Sequence, residues 1–464
     1  MTQKTQQKQR KESSSPAAIP DDFAEICLKH ALAHGADAAD VVVFENTELA
    51  TRRRMGKLEI MERCESRGLG LRVLVEGKGG YRQAIVSGND VAQGALYELV
   101  ERAVSMARVS PPDPFIALAG KELLARDTPD LDVLAAEEPT PAYLQGLAAE
   151  AEEAALAVKS ITNSDGAEAG YERSAVTLLT SNGFSGVFAG TSFSLSVSVV
   201  AGKGTGMETD FDYHTARHAE DLLSAAALGK NAGERAVKRL HPKKMGTGNF
   251  PVVFEPRVAR GLLGCFAGAI CGDAVARGTS FLKESLGKPV FARGITIIDD
   301  PLVKRGLASE PFDAEGVRGK KRALIEDGVL QTWLLDMRSA KQLGLVTTGR
   351  AARGLASPPS PGATNLHLEA GALSPEELMA DIAEGFYVTD TFGMGINGVT
   401  GDYSQGASGF WIARGKLTHA VSEMTIAGNL RDMFLRLTPA SDLICRDAIN
   451  APTVRVEGMM VAGV

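Results

Sequence analysis

Apolar and polar positions divide this chain into stretches of two different periods. Asp21 to Ala33 places its apolar residues at helical spacing, with Asp21 or Asp22 able to cap the start. Ala38–Phe44 is a β-branched run. Glu45–Arg53, Lys57–Cys64 and Arg67–Val75 alternate as strands do, and Gly77–Gly80 makes a turn. Asp90–Arg108 carries Val91, Ala95, Leu99, Ala103 and Met106 as a helical stripe, ended by Ser110-Pro-Pro-Asp-Pro114. A long Ala- and Glu-rich helix is predicted over Pro139–Ala157. Three strands come next, Ile161–Glu168, Arg173–Ser181 and Gly190–Ala201, with hinges at Ser164-Asp165-Gly166 and Ser181-Asn182-Gly183. The second hinge contains Asn-Gly, a strong hairpin signal. Asp221–Leu240 predicts another helix. From Phe250 the pattern is mostly strand, interrupted by helices at Arg257–Ile270 and Pro375–Glu384.

These elements predict an α+β protein in four parts. They are a disordered tail over 1–20, an N-terminal α/β domain over 21–114, a helix-plus-antiparallel-strand domain over 115–245, and a mostly-β C-terminal domain over 246–464. A chain of 464 residues, 44% hydrophobic and 23% charged, has the balance of an ordinary globular protein. The formal net charge of −7 argues against nucleic-acid binding, which wants a basic face. Five scattered cysteines with no CxxC suit a reducing compartment. No apolar run approaches the roughly 18–20 residues of a membrane span, and the first twenty residues lack the apolar core of a signal peptide. A cytoplasmic location is the resulting expectation.

The most informative stretch is Asn397–Phe434, NGVTGDYSQGASGFWIARGKLTHAVSEMTIAGNLRDMF. Gly398, Gly401, Gly406 and Gly409 are interleaved with Asp402, Tyr403, Ser404, Phe410 and Trp411. Glycine at this density suits close approach by another backbone. The block resembles the C-terminal signature of the TldD/PmbA family, and of its PmbA (TldE) branch in particular. That family comprises two-subunit metallopeptidases, also described as modulators of DNA gyrase. The resemblance extends over nearly the whole chain beyond the tail and is most specific over Asn163–Ala201 and Asn397–Phe434.

In the TldD branch a helix carries HExxxH, two zinc-binding His and a Glu that serves as general base. An ungapped match through Leu262-Leu263 puts Gly264 and Ala269 at the His positions and Cys265 at the Glu position. Glycine and alanine have no donor atom. The resemblance therefore implies a chain with no catalytic residues and no metal of its own, zinc being expected on the partner. The implied partner is a TldD-type metallopeptidase subunit. The implied substrate is an unfolded or modified peptide, and the chain alone has the option of a homodimer. Asn397, Gly398, Gly401, Asp402, Tyr403, Gly406, Phe410 and Trp411 are the candidates for contact with that peptide or partner, the two aromatics as interface anchors. The alternative is a non-enzymatic, self-associating regulatory protein.

Other motifs are weaker. His214 and His218 are spaced i,i+4, but no Glu or Cys ligand accompanies them, and surface polar residues in a loop are expected. Gly393–Gly398 matches GxGxxG, yet Val399-Thr400-Gly401-Asp402 after it cannot start the helix a dinucleotide site needs. Cys265 and Cys271 are read as core thiols, and Cys445 as a small core or shielded residue. Lys243, Lys244, Lys320, Lys321 and Arg322 read as solvated turns rather than a DNA patch.

Overall fold

The computed structural model describes residues 22–463; the tail over 1–20 and Asp21 as a cap lie outside them. Helix and strand are both present, segregated as an α+β architecture with a mostly-β C-terminal part. Helix α1 (Asp22–Ala33) leads into the strands β1 (Ala38–Arg54), β2 (Lys57–Gly77) and β3 (Gly80–Gly88), then α2 (Gln93–Val109). Helix α3 (Pro141–Leu156) starts at Thr140, whose side chain accepts from Tyr143 N, with proline in the first turn. Strands β4 (Ile161–Thr180), β5 (Ser185–Ala201) and β6 (Glu208–Ala216) precede α4 (Ala225–Lys238).

All six strands form one antiparallel sheet in the order β3-β2-β1-β4-β5-β6, because β1 pairs with β2 on one side and β4 on the other. The sheet thus runs unbroken past the Ser110–Pro114 punctuation. One sheet face carries the helices. Val41 and Val43 pack against α1 and α2, while Leu49, Ala169 and Leu195 pack against α3 and α4. On the other face Val42 and Leu178 meet Phe184 and Phe312, which brings in the C-terminal part.

Several predicted breaks are absent. Ala38–Phe44 joins Glu45–Arg53, Lys57–Cys64 joins Arg67–Val75, and Ile161–Glu168 joins Arg173–Ser181, giving three long strands. Ser164-Asp165-Gly166 is a β-bulge, not a hinge. Gly166 has φ +122°, and Arg52 Nη2 and Arg54 Nε from β1 hold the carbonyls of Asp165 and Ser164 at 2.6 and 2.9 Å. Asn182-Gly183 is the expected turn between β4 and β5. Asp221–Leu240 becomes a 3-10 turn at Ala219–Asp221 followed by α4, whose cap is Ser224.

In the C-terminal part, β7 (Gly248–Phe254) leads directly into α5 (Pro256–Ala269). Strand β7 lies in a six-stranded sheet with Glu384–Ile396, Asp402–Ala413, Lys416–Asn429, Leu437–Pro439 and Val454–Ala462. A further pairing between Lys416–Asn429 and Val454–Ala462 closes it on itself. Helix α5 lies against this sheet through Leu262, Leu263 and Phe266 in a core shared with Phe291, Phe386 and Phe434. The predicted Pro375–Glu384 helix ends at Met379.

A buried ionic cluster joins the two parts. Asp40 on β1 accepts from Arg72 Nε at 2.6 Å and from Arg353 of the C-terminal part. Burial alone would raise the Asp40 carboxyl, and Arg72 and Arg353 more than offset it, holding it below the usual range. Asp299 similarly pairs with Arg350, both side chains fully buried. Farther along, carboxylates outnumber cations. Burial, with Asp313 beside it, pushes Glu310 up to about 8, and burial with the same neighbour drives Glu315 well above its ordinary value.

A raised carboxyl holds a proton in the folded chain that the unfolded chain releases. Its contribution is complete below the ordinary value of about 4.3 and is lost as pH rises through the folded value. Glu310→Gln, which keeps the neutral shape, is therefore expected to gain stability relative to wild type between pH 5 and pH 8. The gain is at most about 1.4 kcal/mol per pH unit. Urea midpoints measured across that range check it, and a constant difference would contradict it.

Candidate functional site

Pro256 opens α5, and Glu255 before it is engaged elsewhere, accepting from Arg257 Nε at 2.8 Å and Arg235 Nη2 at 2.5 Å. The helix buries Leu262, Leu263 and Phe266 and turns Gly261, Gly264 and Gly268 outward, where an added Cβ would meet nothing within 4 Å. Over Gly264 and Gly268 lies a cleft of about 300 Å³, closed on its other side by Ile396, Gly398 and Phe281. The turn that forms this wall is built by local hydrogen bonds. The Asn397 side-chain oxygen accepts from Val399 N and Thr400 N at 2.9 and 3.3 Å. Gly401 N donates to Asn397 O at 2.8 Å, and Phe281 N ties the turn down by donating to Gly398 O at 2.9 Å. Gly401 needs its φ of +84° for this path.

The turn caps a hairpin that ends in exposed apolar side chains. Phe392 is 54% exposed, Met394 99% and Val399 55%. No helix follows Gly393–Gly398, in keeping with the rejection of a dinucleotide site. The eight signature candidates do not converge. Asn397, Gly398 and Asp402 are exposed at the tip, with Gly401 buried in the turn beneath them. Asp402 accepts from Thr400 Oγ1 at 2.7 Å and Asn429 Nδ2 at 3.1 Å, and these bonds hold its carboxyl below the usual range.

Tyr403 and Trp411 are core residues, 5% and 4% exposed, and Trp411 packs edge-on against Phe250 at 5.0 Å. Trp411 is thus unavailable as an interface anchor. The strand alternates, and the inward positions of Asp402–Ala413 face α5. Half-buried Phe410 points the opposite way, into a cavity of about 630 Å³ shared with Lys238, His241, Tyr387 and His419. A Cβ at Gly406 would overlap the Phe392 ring, and one at Gly409 the Tyr387 carbonyl. The close approaches at these two glycines are therefore internal.

The residues at the HExxxH positions do not fit a zinc ion. Gly264 and Ala269 offer no ligand atom, and burial pushes the Cys265 thiol up, away from thiolate. Cys271 is likewise pushed up, to about 12, by burial and then Asp273. His214 sits on β6, half-buried, accepting from Leu223 N at 3.2 Å. His218 is 8% exposed with Nε2 on Asp132 O at 2.8 Å, so the pair forms neither a loop surface nor a shared helix face. Cys445 is exposed, correcting its reading as a shielded thiol, and shares a cavity of about 420 Å³ with His214 and His367.

Among the described residues, one trio could bring three ligand atoms together. It is His30, His34 and Glu101, within 4.8 Å of one another on α1 and α2, which pack in a different core from α5. Sequence reading passed over it because the acid comes from a second helix. Also missed was the ionic network on α4 and α5. There buried Asp210 accepts from Arg257 at 3.1 Å and Arg239 at 3.3 Å. Its members are too scattered in sequence to make a motif. Elemental analysis of the purified chain is expected to find no tightly held zinc at the α5 cleft. About one zinc per chain that persists in His34→Ala would contradict this.

Three family models match in order: PmbA/TldA metallopeptidase domain 1 over 39–107, the central domain over 134–240 and the C-terminal domain over 247–463. Metalloprotease PmbA of Escherichia coli O157:H7 is 38% identical over 430 residues, 92% of this chain and 93% of the relative. A PmbA homolog from Haemophilus influenzae is 36% identical over 92% of both chains. Among solved structures, a protein described as a modulator of DNA gyrase from Bacteroides thetaiotaomicron superposes with a TM-score of 0.87 at 27% identity, covering 96% of this chain and 98% of that one. TldE from Thermococcus kodakarensis shares the fold, with a TM-score of 0.82 at 20% identity over 95% and 100% of the two chains. Signature, fold and full-length similarity coincide, and the chain belongs to the PmbA/TldD metallopeptidase family, in its PmbA branch.

Proposed function

We propose that this chain is the subunit without metal in a two-subunit peptidase, pairing with a TldD-type zinc subunit to cleave unfolded or modified peptides in the cytoplasm. The observation that carries the reading is the α5 cleft. The cleft and its apolar hairpin wall are present, while the side chains facing it at the ligand positions are glycine and alanine. Such a surface can hold an extended peptide or order a partner's helix, with Met394, Ile396 and Val399 available for burial. No helix among the described residues is long and apolar enough to cross a membrane. The net charge of −7 gives no reason for a nucleic-acid contact.

The test is copurification with a TldD-type chain from the same source, followed by cleavage of unfolded peptides by each chain and by the mixture. Activity in the mixture and not in this chain alone is expected. Cleavage by this chain alone would overturn the assignment. Failure to associate would favour the self-associating regulatory alternative.

A further inference from the structure

Helices α1 and α2 pack together over the sheet, and α1 is the more lightly held of the two. It buries only Ala24, Cys27 and Ala31, whereas α2 buries Leu96, Leu99, Val100 and Val104. At roughly 0.8 kcal/mol per buried methylene, side chains this small anchor α1 weakly.

Two imidazoles and a carboxylate converge between these helices. His30 lies in the last turn of α1, His34 follows one turn later, and Glu101 comes across from α2. One ligand atom from each lies within 4.8 Å of the other two. His34 Nε2 is 3.6 Å from Glu101 Oε1. Donors on a tetrahedral zinc, with bonds of about 2.05 Å, stand about 3.3 Å apart. This pair is thus a few tenths of an ångström from ligand spacing, and both side chains are exposed and free to close it.

The surrounding contacts orient the rings as ligands. His34 Nδ1 is 3.2 Å from the His30 carbonyl oxygen, which can only accept, so Nδ1 carries the proton. The neutral ring then turns its Nε2 lone pair toward Glu101, and two acceptors face each other. A backbone carbonyl on the far nitrogen is the common device that orients a metal-binding imidazole. The His34 backbone is fixed as well. Its N–H donates to His30 O at 2.9 Å, and its carbonyl accepts from Arg108 Nη2 at 3.0 Å. His30 is stacked on Tyr97 of α2, with ring centroids 3.9 Å apart. Its Nε2 is buried without a hydrogen-bond partner among the described residues. A proton on His34 would account for the pair with Glu101 and leave His30 unexplained. One cation serves all three residues, and it sits at the negative end of the α1 dipole.

We propose that His30, His34 and Glu101 bind one zinc-class divalent cation that staples α1 to α2. Two nitrogen donors and one oxygen suit zinc better than magnesium or calcium, which take oxygen sets. The trio packs in a different core from α5, so the catalytic zinc of the peptidase reading stays on the partner. The two readings stand or fall separately, because the test uses neither a partner nor a peptide.

Titration of the chelator-stripped full chain with zinc chloride, followed by calorimetry, is expected to show one site with a Kd of about 10 μM or tighter. His34→Ala and Glu101→Ala should each weaken it at least about tenfold, the least usually lost when even an outer partner of a metal site is removed. Unchanged melting without zinc is expected of both, since both residues are exposed. Cys445→Ala, at an exposed thiol that shares a cavity with His214 and His367, should leave the affinity unchanged. Zinc at 100 times Kd should slow amide exchange in α1 by up to about a hundredfold and leave α4 unaffected. Should either variant melt lower, the exchange measurement on the unaltered chain still decides. Weaker binding overturns the proposal, as does binding that survives His34→Ala or is lost in Cys445→Ala. Binding that leaves α1 exchange unchanged would be an adventitious surface chelate, and that too would overturn it.

Discussion

Asp40→Ala is expected to destabilise the chain by about 3–5 kcal/mol, the range for removing one partner of a buried pair. Asp40 is 1% exposed and pairs with two guanidinium groups, Arg72 from β2 and Arg353 from the C-terminal part. The Arg353 side chain is itself fully buried, and its Nε and Nη2 have no other acceptor. Without the carboxylate two cations remain out of water with their donors unmet, which is worse than losing the pair's mutual attraction alone. The loss should also uncouple the two parts, so that limited proteolysis separates the N-terminal sheet from residues beyond 246. Because the Asp40 carboxyl lies below its ordinary value, wild type should lose this contribution as pH falls through the folded value, and Asp40→Ala should not. A loss under about 1 kcal/mol at neutral pH would show that other contacts join the parts.

The second large effect concerns the base. In a complex with a TldD-type partner whose catalytic Glu is changed to Gln, cleavage is expected to fall by about 10²–10⁴-fold, the usual contribution of a general base. Asp402→Asn and Glu423→Gln in this chain should leave cleavage within about twofold, well inside that range. Both acids have local structural partners. Asp402 is bonded to Thr400 and Asn429 within its own turn, and Glu423 pairs with Lys244 at 2.6 Å. Neither lines the α5 cleft. Cleavage that persists with the altered partner, or that disappears with Asp402→Asn, would move the base into this chain.

Much of the fold was legible because it is local. The Asn182-Gly183 turn, the Pro256-led helix and the strand alternation each depend on neighbours a few residues away. Ser164-Asp165-Gly166 misled because the same residues serve a turn or a bulge. The choice is made by Arg52 and Arg54, more than a hundred residues earlier, which grip its carbonyls. At the candidate site, the lack of a side-chain donor atom at Gly264 and Ala269 is visible in the sequence itself. Its shape was not. Glycine spacing announces close approach but not by what, and here Phe392 and Tyr387 of the same chain fill Gly406 and Gly409. Trp411 and Phe410 are adjacent in sequence and lie on opposite faces of one strand. Only the neighbouring strands and α5 decide which of the two faces is core.

The unbroken sheet has a consequence for how the protein is made. Strand β1 ends at Arg54, and its second neighbour, β4, begins at Ile161 and closes the register at Thr180 opposite Asp40. At synthesis rates of about 5–20 residues per second that interval lasts roughly 5–20 s. During it the inner edge of β1 is open, while the hairpin with β2 and the packing of α1 and α2 are already possible. Long-range pairing of this kind forms slowly, and an open apolar edge is prone to wrong partners in the meantime. The nascent chain is therefore most vulnerable between its first hundred and its first two hundred residues. A fragment ended near residue 114 would hold that vulnerable state permanently, and aggregation rather than a soluble domain is what it should yield.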